Sequence, residues 1–375
     1  MDDTENLLHD RLAALTPELL HLSHTIHAFH ETRFEEVRSS RELARMLEAH
    51  GFGVERGLAD MPTSFIARRG RGLPIVGFFA EYDALPDIGH ACGHNIIAAS
   101  SVGAGILLAD WIEATQRSAE VWVVGSPGEE GGGGKVKLLD AGVLDPLSVA
   151  LMAHPSAADE AAPAYLCREG IEVSFYGKEA HFAAAPEEGI NALSAVLLWF
   201  HFIDALRSHL DPTSKVHGII THGGTSPNVV PAFAAARMLV RGPDKAVTAA
   251  VLDKVVRAAE SAAAGTGCRI AWERFVPLYE NVAQDAALAT FLERALKERG
   301  RHPIEGGPPL GSTDMGNVSH RVPSLHANIG IGAGLVPHTR EFAAAAIGPK
   351  GDAAVGDAAY ALARAASLYL EEGSC

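Results

Sequence analysis

The run Pro74-Ile75-Val76-Gly77-Phe78-Phe79-Ala80, followed at once by Glu81-Tyr82-Asp83, decides how this chain is read. A continuous apolar run entered through a proline suits a strand buried on both faces, the condition of a strand inside a parallel sheet. Two more runs repeat the pattern. Val121-Trp122-Val123-Val124 ends in Gly125-Ser126-Pro127-Gly128-Glu129-Glu130 and then four glycines, and Val149-Ala150-Leu151-Met152 ends in Ala153-His154-Pro155. Helical segments separate the three, so the alternation predicts an α/β layer with a mostly parallel sheet. In such sheets ligands bind beyond the carboxyl ends of the strands. Asp83, Glu129, Glu130 and His154 all fall at those ends.

After the first run comes Gly89-His90-Ala91-Cys92-Gly93-His94-Asn95, a thiol and two imidazoles within five residues. They stand just ahead of Ile96 to Leu108, whose small and apolar residues read as a buried helix. A thiolate at Cys92 and a neutral imidazole at His94 can bind one or two divalent cations if carboxylates and further imidazoles arrive from elsewhere. Glu129-Glu130 meets part of that need. Successive side chains on an extended segment point opposite ways, so one carboxylate binds metal and the other stays free to move a proton. A water acidified by a cation, beside a free Glu acting as general base, is an established way to attack an amide carbonyl. Each residue alone also has a plain reading: Glu129-Glu130 as a solvated turn, His154 as a core or capping histidine, Cys92 as a small buried hydrophobe. His338, in Val336-Pro337-His338-Thr339-Arg340, taken by itself is an ordinary loop histidine.

With 375 residues the chain has room for two domains, each with its own core. The net charge of −15, from 31 Lys+Arg against 46 Asp+Glu, disfavours nucleic-acid and anionic-membrane surfaces and leaves a small molecule or a protein as partner. The four cysteines Cys92, Cys167, Cys268 and Cys375 form no CxxC pair, and the start Met1-Asp2-Asp3-Thr4-Glu5 is acidic where a signal peptide is basic. A reducing, cytoplasmic setting is therefore expected. Apolar runs such as Ala195 to Phe200 fall far below the roughly 18 residues of a membrane helix, so a soluble chain is expected.

Leu8, Leu12, Leu15, Leu19, Leu22, Ile26 and Phe29 mark one face of an amphipathic helix, and a second helix carrying Leu43, Met46 and Leu47 stops at Gly51. From about Glu169 the character changes. Strand-like Ile171–Tyr176, Val216–Thr221, Ala234–Arg241 and Cys268–Arg274 enclose helices near 190–210 and 244–264. The order β-α-β-β-α-β is that of a ferredoxin-like unit. The expected organisation is an α/β catalytic domain over 1–168 and 278–375, with a ferredoxin-like α+β domain inserted at 169–277.

Five stretches together resemble the M20 metallopeptidase and amidohydrolase family. They are Leu22-Ser23-His24-Thr25-Ile26-His27 with Phe34-Glu35-Glu36, Glu81-Tyr82-Asp83-Ala84-Leu85-Pro86, His90-Ala91-Cys92-Gly93-His94, Glu129-Glu130-Gly131-Gly132-Gly133-Gly134-Lys135, and Gly177-Lys178-Glu179-Ala180-His181. The resemblance runs in order from near residue 20 to the C-terminus. It is strongest to the cysteine-ligand branch of aminoacyl-conjugate, aminobenzoyl-glutamate and dipeptide hydrolases. It implies that Cys92, His94, Glu130, His154 and His338 hold two divalent ions per subunit, Mn or Zn first and Co or Ni as alternatives. It implies Glu129 as the general base and Asp83 as the residue that orients a ligand. Asn95 departs from the commoner Cys-Gly-His-Asp and bears on the hydrogen bonding around the metals.

The inserted domain, by the same resemblance, is a lid and homodimerisation domain. His181 is similar to a histidine that reaches the active site of the other protomer and stabilises the tetrahedral oxyanion. Asn228 and Arg241 match substrate-binding positions, Arg241 as a clamp on a free carboxylate. Asp314, in Gly311-Ser312-Thr313-Asp314-Met315-Gly316, is expected to line the pocket, with a tight turn as the plain alternative. The expected function is hydrolysis of the amide bond of an N-acyl or aminoacyl amino acid or a small dipeptide. The alternatives are a non-peptide C–N bond such as that of an aryl amine on the same metals, a hydrolase with Cys92 as nucleophile, and a regulator that keeps the metal shell without catalysis.

Overall fold

A computed structural model describes residues 3–307, 309 and 311–372. The Met1-Asp2 start and Cys375 lie outside the described residues. The first unit comprises Met1–Ala164, Val282–Leu310 and Asp314–Cys375, and the second Tyr165–Asn281 with Gly311–Thr313. The second unit thus extends four residues beyond 169–277 at each end. Its outer strands run past the stretches whose alternation is legible, and Gly311–Thr313 joins it through Leu166 N, which donates to Gly311 O at 2.8 Å.

The first unit opens with α1 (Asp3–Phe29) and α2 (Val37–Ala49), then β1 (Gly53–Arg56), β2 (Phe65–Arg71), β3 (Ile75–Ala80), α3 (His94–Thr115), β4 (Ala119–Gly125), α4 (Gly134–Asp140) and β5 (Val149–Ser156). After the second unit it resumes with α7 (Ala286–Glu298), α8 (Met315–Ser319), β10 (Ser324–Gly330), α9 (Arg340–Ala345) and α10 (Pro349–Glu372). Its six strands lie in the order β1-β2-β4-β3-β5-β10. The three apolar runs are the neighbouring parallel strands β4, β3 and β5, and β10 extends the parallel set. β1 and β2 add an antiparallel ribbon to one side, which the apolar runs do not announce.

Every residue of β3 is buried, as a strand covered on both faces requires. One covering element is α3, which packs on β3, β4 and β5 and also on α1 and α10. By length and a mean hydropathy of 1.5 it could cross a membrane, but 94% of that stretch is buried inside the first unit, the arrangement of a core helix. Its approach to the sheet is close. A Cβ on Gly105 would stand 2.3 Å from Val123 Cγ2, so only glycine fits there.

The second unit runs β6 (Cys167–Tyr176), α5 (Ala192–Arg207), β7 (Lys215–His222), β8 (Phe233–Gly242), α6 (Lys245–Thr266) and β9 (Arg269–Tyr279). Its antiparallel sheet has the order β7-β8-β6-β9, the ferredoxin-like arrangement. Alternate residues Ile171, Val173 and Phe175 of β6 turn to a core shared with Trp199 of α5 and Val255 of α6. Both helices start at side-chain caps: Asn191 accepts from Ser194 N and Asp244 from Val247 N.

Candidate active site

β3 ends at Ala80, so Glu81 and Asp83 leave the first unit's sheet at its carboxyl edge, where β4 also delivers Glu129 and Glu130. His154 lies near the end of β5, and Gly93, at φ 74°, turns the chain into α3 so that His94 is its first residue. Three pieces of chain distant in sequence thus meet at one edge. Cys92, His94 and His154 each offer a ligand atom within 4.8 Å of the others, and Cys92, Glu130 and His338 form a second such triple. Cys92 is the corner common to both. Its Sγ lies 3.5 Å from His154 Nε2, and His338 Nε2 lies 3.2 Å from Glu130 Oε1.

The imidazoles are oriented from behind. His94 Nδ1 bonds Asp83 Oδ1 at 3.0 Å and His154 Nδ1 bonds Pro155 O at 2.8 Å, which leaves each Nε2 turned toward the cluster. Metal-binding histidines are held in this way. His94 Nε2 is buried without a hydrogen-bond partner, with Glu81 Oε2 3.6 Å away. A buried ring nitrogen left unpaired there is costly, and a cation bound to the neutral ring would satisfy it. Asp83 also accepts from Glu130 N at 3.0 Å, so one carboxylate fixes two of the candidate ligands. A donor set of one thiol, three imidazoles and one carboxylate fits borderline divalent cations.

Burial, then Glu130, push the Cys92 thiol up. Burial, then Glu81, Glu130 and Asp314, push the Glu129 carboxyl well above its ordinary value. Burial would raise Glu130 too, but the hydrogen bond from His338 and the charge on His94 hold it below. Burial and His94 push His154 down. The backbone at Glu129-Glu130 is a turn, not the extended segment expected from the sequence, yet the side chains still part. Glu130 joins Cys92 and His338, whereas Glu129 joins Glu81 and His94 in a third triple.

The loop that carries these glutamates is pinned by Glu36, which accepts from Gly128 N at 2.9 Å, Phe34 N at 2.8 Å and Thr63 Oγ1 at 3.0 Å. It also demands Gly134, where a Cβ would fall 1.9 Å from Pro127 O. Burial, then the charge on Asp83, raise the Glu36 carboxyl to about 7. A folded-state value above the unfolded one means that its stabilising share is complete below about pH 4.5 and is lost as pH rises through 7. Glu36→Gln keeps the amide acceptor without the charge. Urea denaturation should show the Gln variant gaining on the wild type between pH 5 and pH 8, and a difference constant with pH would contradict this.

Sequence reasoning missed Lys135. It is fully buried, and its Nζ bonds Glu81 and, at 2.7 Å, Asp314 Oδ1, while its backbone N donates to Asp314 Oδ2 at 3.0 Å. Burial pulls its pKa down, but Asp314 and Glu81 outweigh burial and keep it charged. Asp314, expected to line the pocket, is fully buried with both oxygens on Lys135. No local pattern marks the pair, since the partners are 179 residues apart. His326, from β10, was also missed; it is fully buried with its ring 5.9 Å from that of His154. Asn95 turns away from the ligands. Its Nδ2 donates to Ser23 Oγ at 2.8 Å and Ala346 O at 3.3 Å, and a carboxylate there has no donor for that carbonyl.

In the second unit His181 and Asn228 lie side by side. His181 bridges Val229, and Phe182 N donates to Asn228 O at 3.1 Å. Both are exposed. Arg241 is elsewhere: it pairs with Arg168 and Lys215 at the far end of β8, eight residues from Phe233, or about 26 Å of strand. The structure therefore brings the five candidate ligands, Asp83 and Glu129 together in one unit, and His181 with Asn228 in the other, but not Arg241 with those two.

Residues 77–361 match the sequence profile described as "Peptidase family M20/M25/M40". The chain is similar to the Xaa-Arg dipeptidase of Mus musculus, at 36% identity over 354 residues that cover 90% of this chain and 82% of the relative. It is 37% identical over 252 residues to one of the component chains of the p-aminobenzoyl-glutamate hydrolase of Escherichia coli (strain K12), covering 62% of this chain and 52% of that one. Among solved structures, an aminobenzoyl-glutamate utilization protein from Klebsiella pneumoniae has a TM-score of 0.75 at 20% identity, covering 96% of this chain and 98% of that one. The YXEP protein of Bacillus subtilis, described as a dinuclear metal binding peptidase from the M20 family, has a TM-score of 0.73 at 23% identity, covering 95% and 99%. At those identities the two structures establish the shared α/β fold with its separate antiparallel-sheet unit.

Proposed function

Because the chain belongs to peptidase family M20/M25/M40 and is therefore a metallohydrolase of C–N bonds, we propose that it cleaves the amide bond of an N-acyl or aminoacyl amino acid or a small dipeptide. The observation that carries this reading is the pair of ligand triples sharing Cys92, with Glu129 outside both and next in sequence to Glu130. Cys92, His94 and His154 would hold one divalent cation, and Cys92, Glu130 and His338 the other. When bound, the cations supply Lewis acidity toward the scissile carbonyl and the attacking water. Asp83 keeps His94 and the Glu130 backbone in place. Glu129, whose carboxyl favours its proton, takes the proton of the water and returns it to the leaving nitrogen.

The Cys92-nucleophile alternative is weakened by the same electrostatics. Burial and Glu130 disfavour a free thiolate, which nucleophilic attack would need. A ligand thiol also has to stay reduced, in keeping with a cytoplasmic setting.

A homodimer built through the second unit is part of the proposal. Leu197, Leu198 and Phe202 on α5 and Ile219 and Ile220 on the edge strand β7 are exposed. Arg241 lies at the far end of β8 from Phe233, and His181 pairs with Val229 ahead of that strand, which favours the two meeting a substrate from different chains. Light scattering that finds only monomer would refute the dimer.

The relatives support the substrate class: one is named for dipeptides ending in Arg, the other for an aminobenzoyl conjugate of glutamate. The test is a hydrolysis screen across N-acyl amino acids, dipeptides and aryl-amine conjugates, using stripped enzyme resupplied with Mn, Zn, Co or Ni singly. Turnover of amide substrates with at least one metal is expected. Turnover of aryl-amine compounds alone would move the assignment to that class.

A further inference from the structure

The loop that carries Glu129 and Glu130 has glycine at five of its seven positions, 128 and 131–134. Glycine loses more freedom on folding than any other residue and brings no side chain to hold itself in place. Two neighbouring carboxylates with different tasks need that loop fixed, so the fixing has to come from outside it. Phe34 stands where it can supply it. Glu35 N donates to Thr32 O at 2.9 Å, which puts Phe34 at the third position of a tight turn, with φ 64°. Glycine suits such a position, and an aromatic residue persists there only when its surroundings hold it. We propose, resting on the reading of Glu129 as the general base, that Phe34 is a positioning residue: its ring clamps the glycine loop and so holds the Glu129 carboxylate where it can move a proton.

The ring spans the loop. A Cβ on Gly128 would stand 2.9 Å from Phe34 Cε1 and one on Gly132 2.6 Å from Cε2, so the two edges of the ring lie against backbone on either side of the Glu129-Glu130 turn. Gly132 N donates to Gly128 O at 3.0 Å and closes the loop between them. Lys137 of α4 places its Nζ 4.9 Å from the ring centroid. One oxygen of Glu36, Oε1, accepts from both Phe34 N and Gly128 N and ties turn to loop. The turn is itself anchored, since Ala84 N, next to Asp83, donates to Glu31 O at 2.7 Å. Glu130 has holds of its own: Asp83 accepts from its N at 3.0 Å, Arg33 Nη1 donates to its O at 3.1 Å, and His338 lies against its carboxylate. Loss of the ring should therefore displace Glu129, bonded next to Gly128, and spare the cation ligand.

Phe34→Gly is the informative change, because glycine adopts φ 64° without strain and the turn survives while the ring is lost. The full chain, loaded with a metal that supports hydrolysis, is followed by hydrogen exchange and by steady-state kinetics. F34G should speed exchange at the amides of residues 128–134 and leave those of α3 as in the wild type. It should lower kcat by up to about a hundredfold, which a misplacement of about 1 Å can cost, with KM and cation content unchanged. In the E129Q background the same change should cost nothing further, a non-additivity that a general loss of packing would not give. F34L, which keeps an apolar side chain without the flat ring, should fall between F34G and the wild type.

The proposal is overturned if F34G keeps the wild-type kcat or the wild-type protection of the loop, if it loses cation, or if it costs the same factor with and without Glu129. Should F34G fail to fold by circular dichroism, F34L carries the same measurements. An E129Q variant that keeps its turnover would refute the base reading and this proposal with it, whereas an inactive E129Q beside an unaffected F34G would refute the clamp alone.

Discussion

Glu129→Gln is expected to lower kcat by roughly a hundred- to ten-thousand-fold, the usual worth of general acid–base catalysis, while cation content stays at the wild-type level. The amide is nearly the same shape and retains an acceptor oxygen, but it cannot take a proton. Glu129 lies outside both triples that share Cys92, so its loss should leave them able to bind. Its surroundings point the same way. Burial and three neighbouring carboxylates make the protonated form easy to reach, which suits a group that must hold a proton between water and leaving amine. Single-turnover kinetics together with elemental analysis read both quantities. Lost turnover with lost metal would make Glu129 a ligand, and retained turnover would remove it from the chemistry.

Cys92→Ala should cost more metal than any other single change, because Cys92 is the corner of two triples while His338 belongs to one. After dialysis, Cys92→Ala should keep less than one equivalent of cation and His338→Ala about one. The thiolate is the softest donor present, so its loss should also shift preference away from Zn. Metal content, not activity, is the informative readout, since a nucleophilic cysteine would abolish turnover just as well. Cys92→Ala with a full complement of metal would break the shared-corner arrangement.

The parts of the fold that could be read in advance are those where burial writes itself into the chain. β3, β4 and β5 are covered on both faces and appear as unbroken apolar runs, and β6 alternates because only one of its faces meets α5 and α6. The β1–β2 ribbon escaped for the converse reason: β2 begins as buried Phe65-Ile66-Ala67 and ends in the more exposed Arg68-Arg69-Gly70-Arg71, so neither period holds along it. At the site, Cys92, His94, Glu129, Glu130 and His154 were conspicuous because strand ends expose chemistry. His338 is legible only through family resemblance, since nothing in its own stretch marks it. Lys135 and Asp314 were illegible in principle. A lysine in the first turn of a short helix reads as solvated, and only tertiary pairing across the fold makes it a buried counter-ion. The same blindness gave Asp314 a substrate role and left unseen the two bonds that place its oxygens on Lys135.

The count of divalent cations on the stripped and resupplied wild-type chain, taken in the samples used for hydrolysis, tests the central claim most directly. Two equivalents per chain, with activity that disappears on chelation and returns with them, is the predicted result. Activity that survives thorough chelation but is lost to thiol alkylation would contradict it and make Cys92 the reacting group.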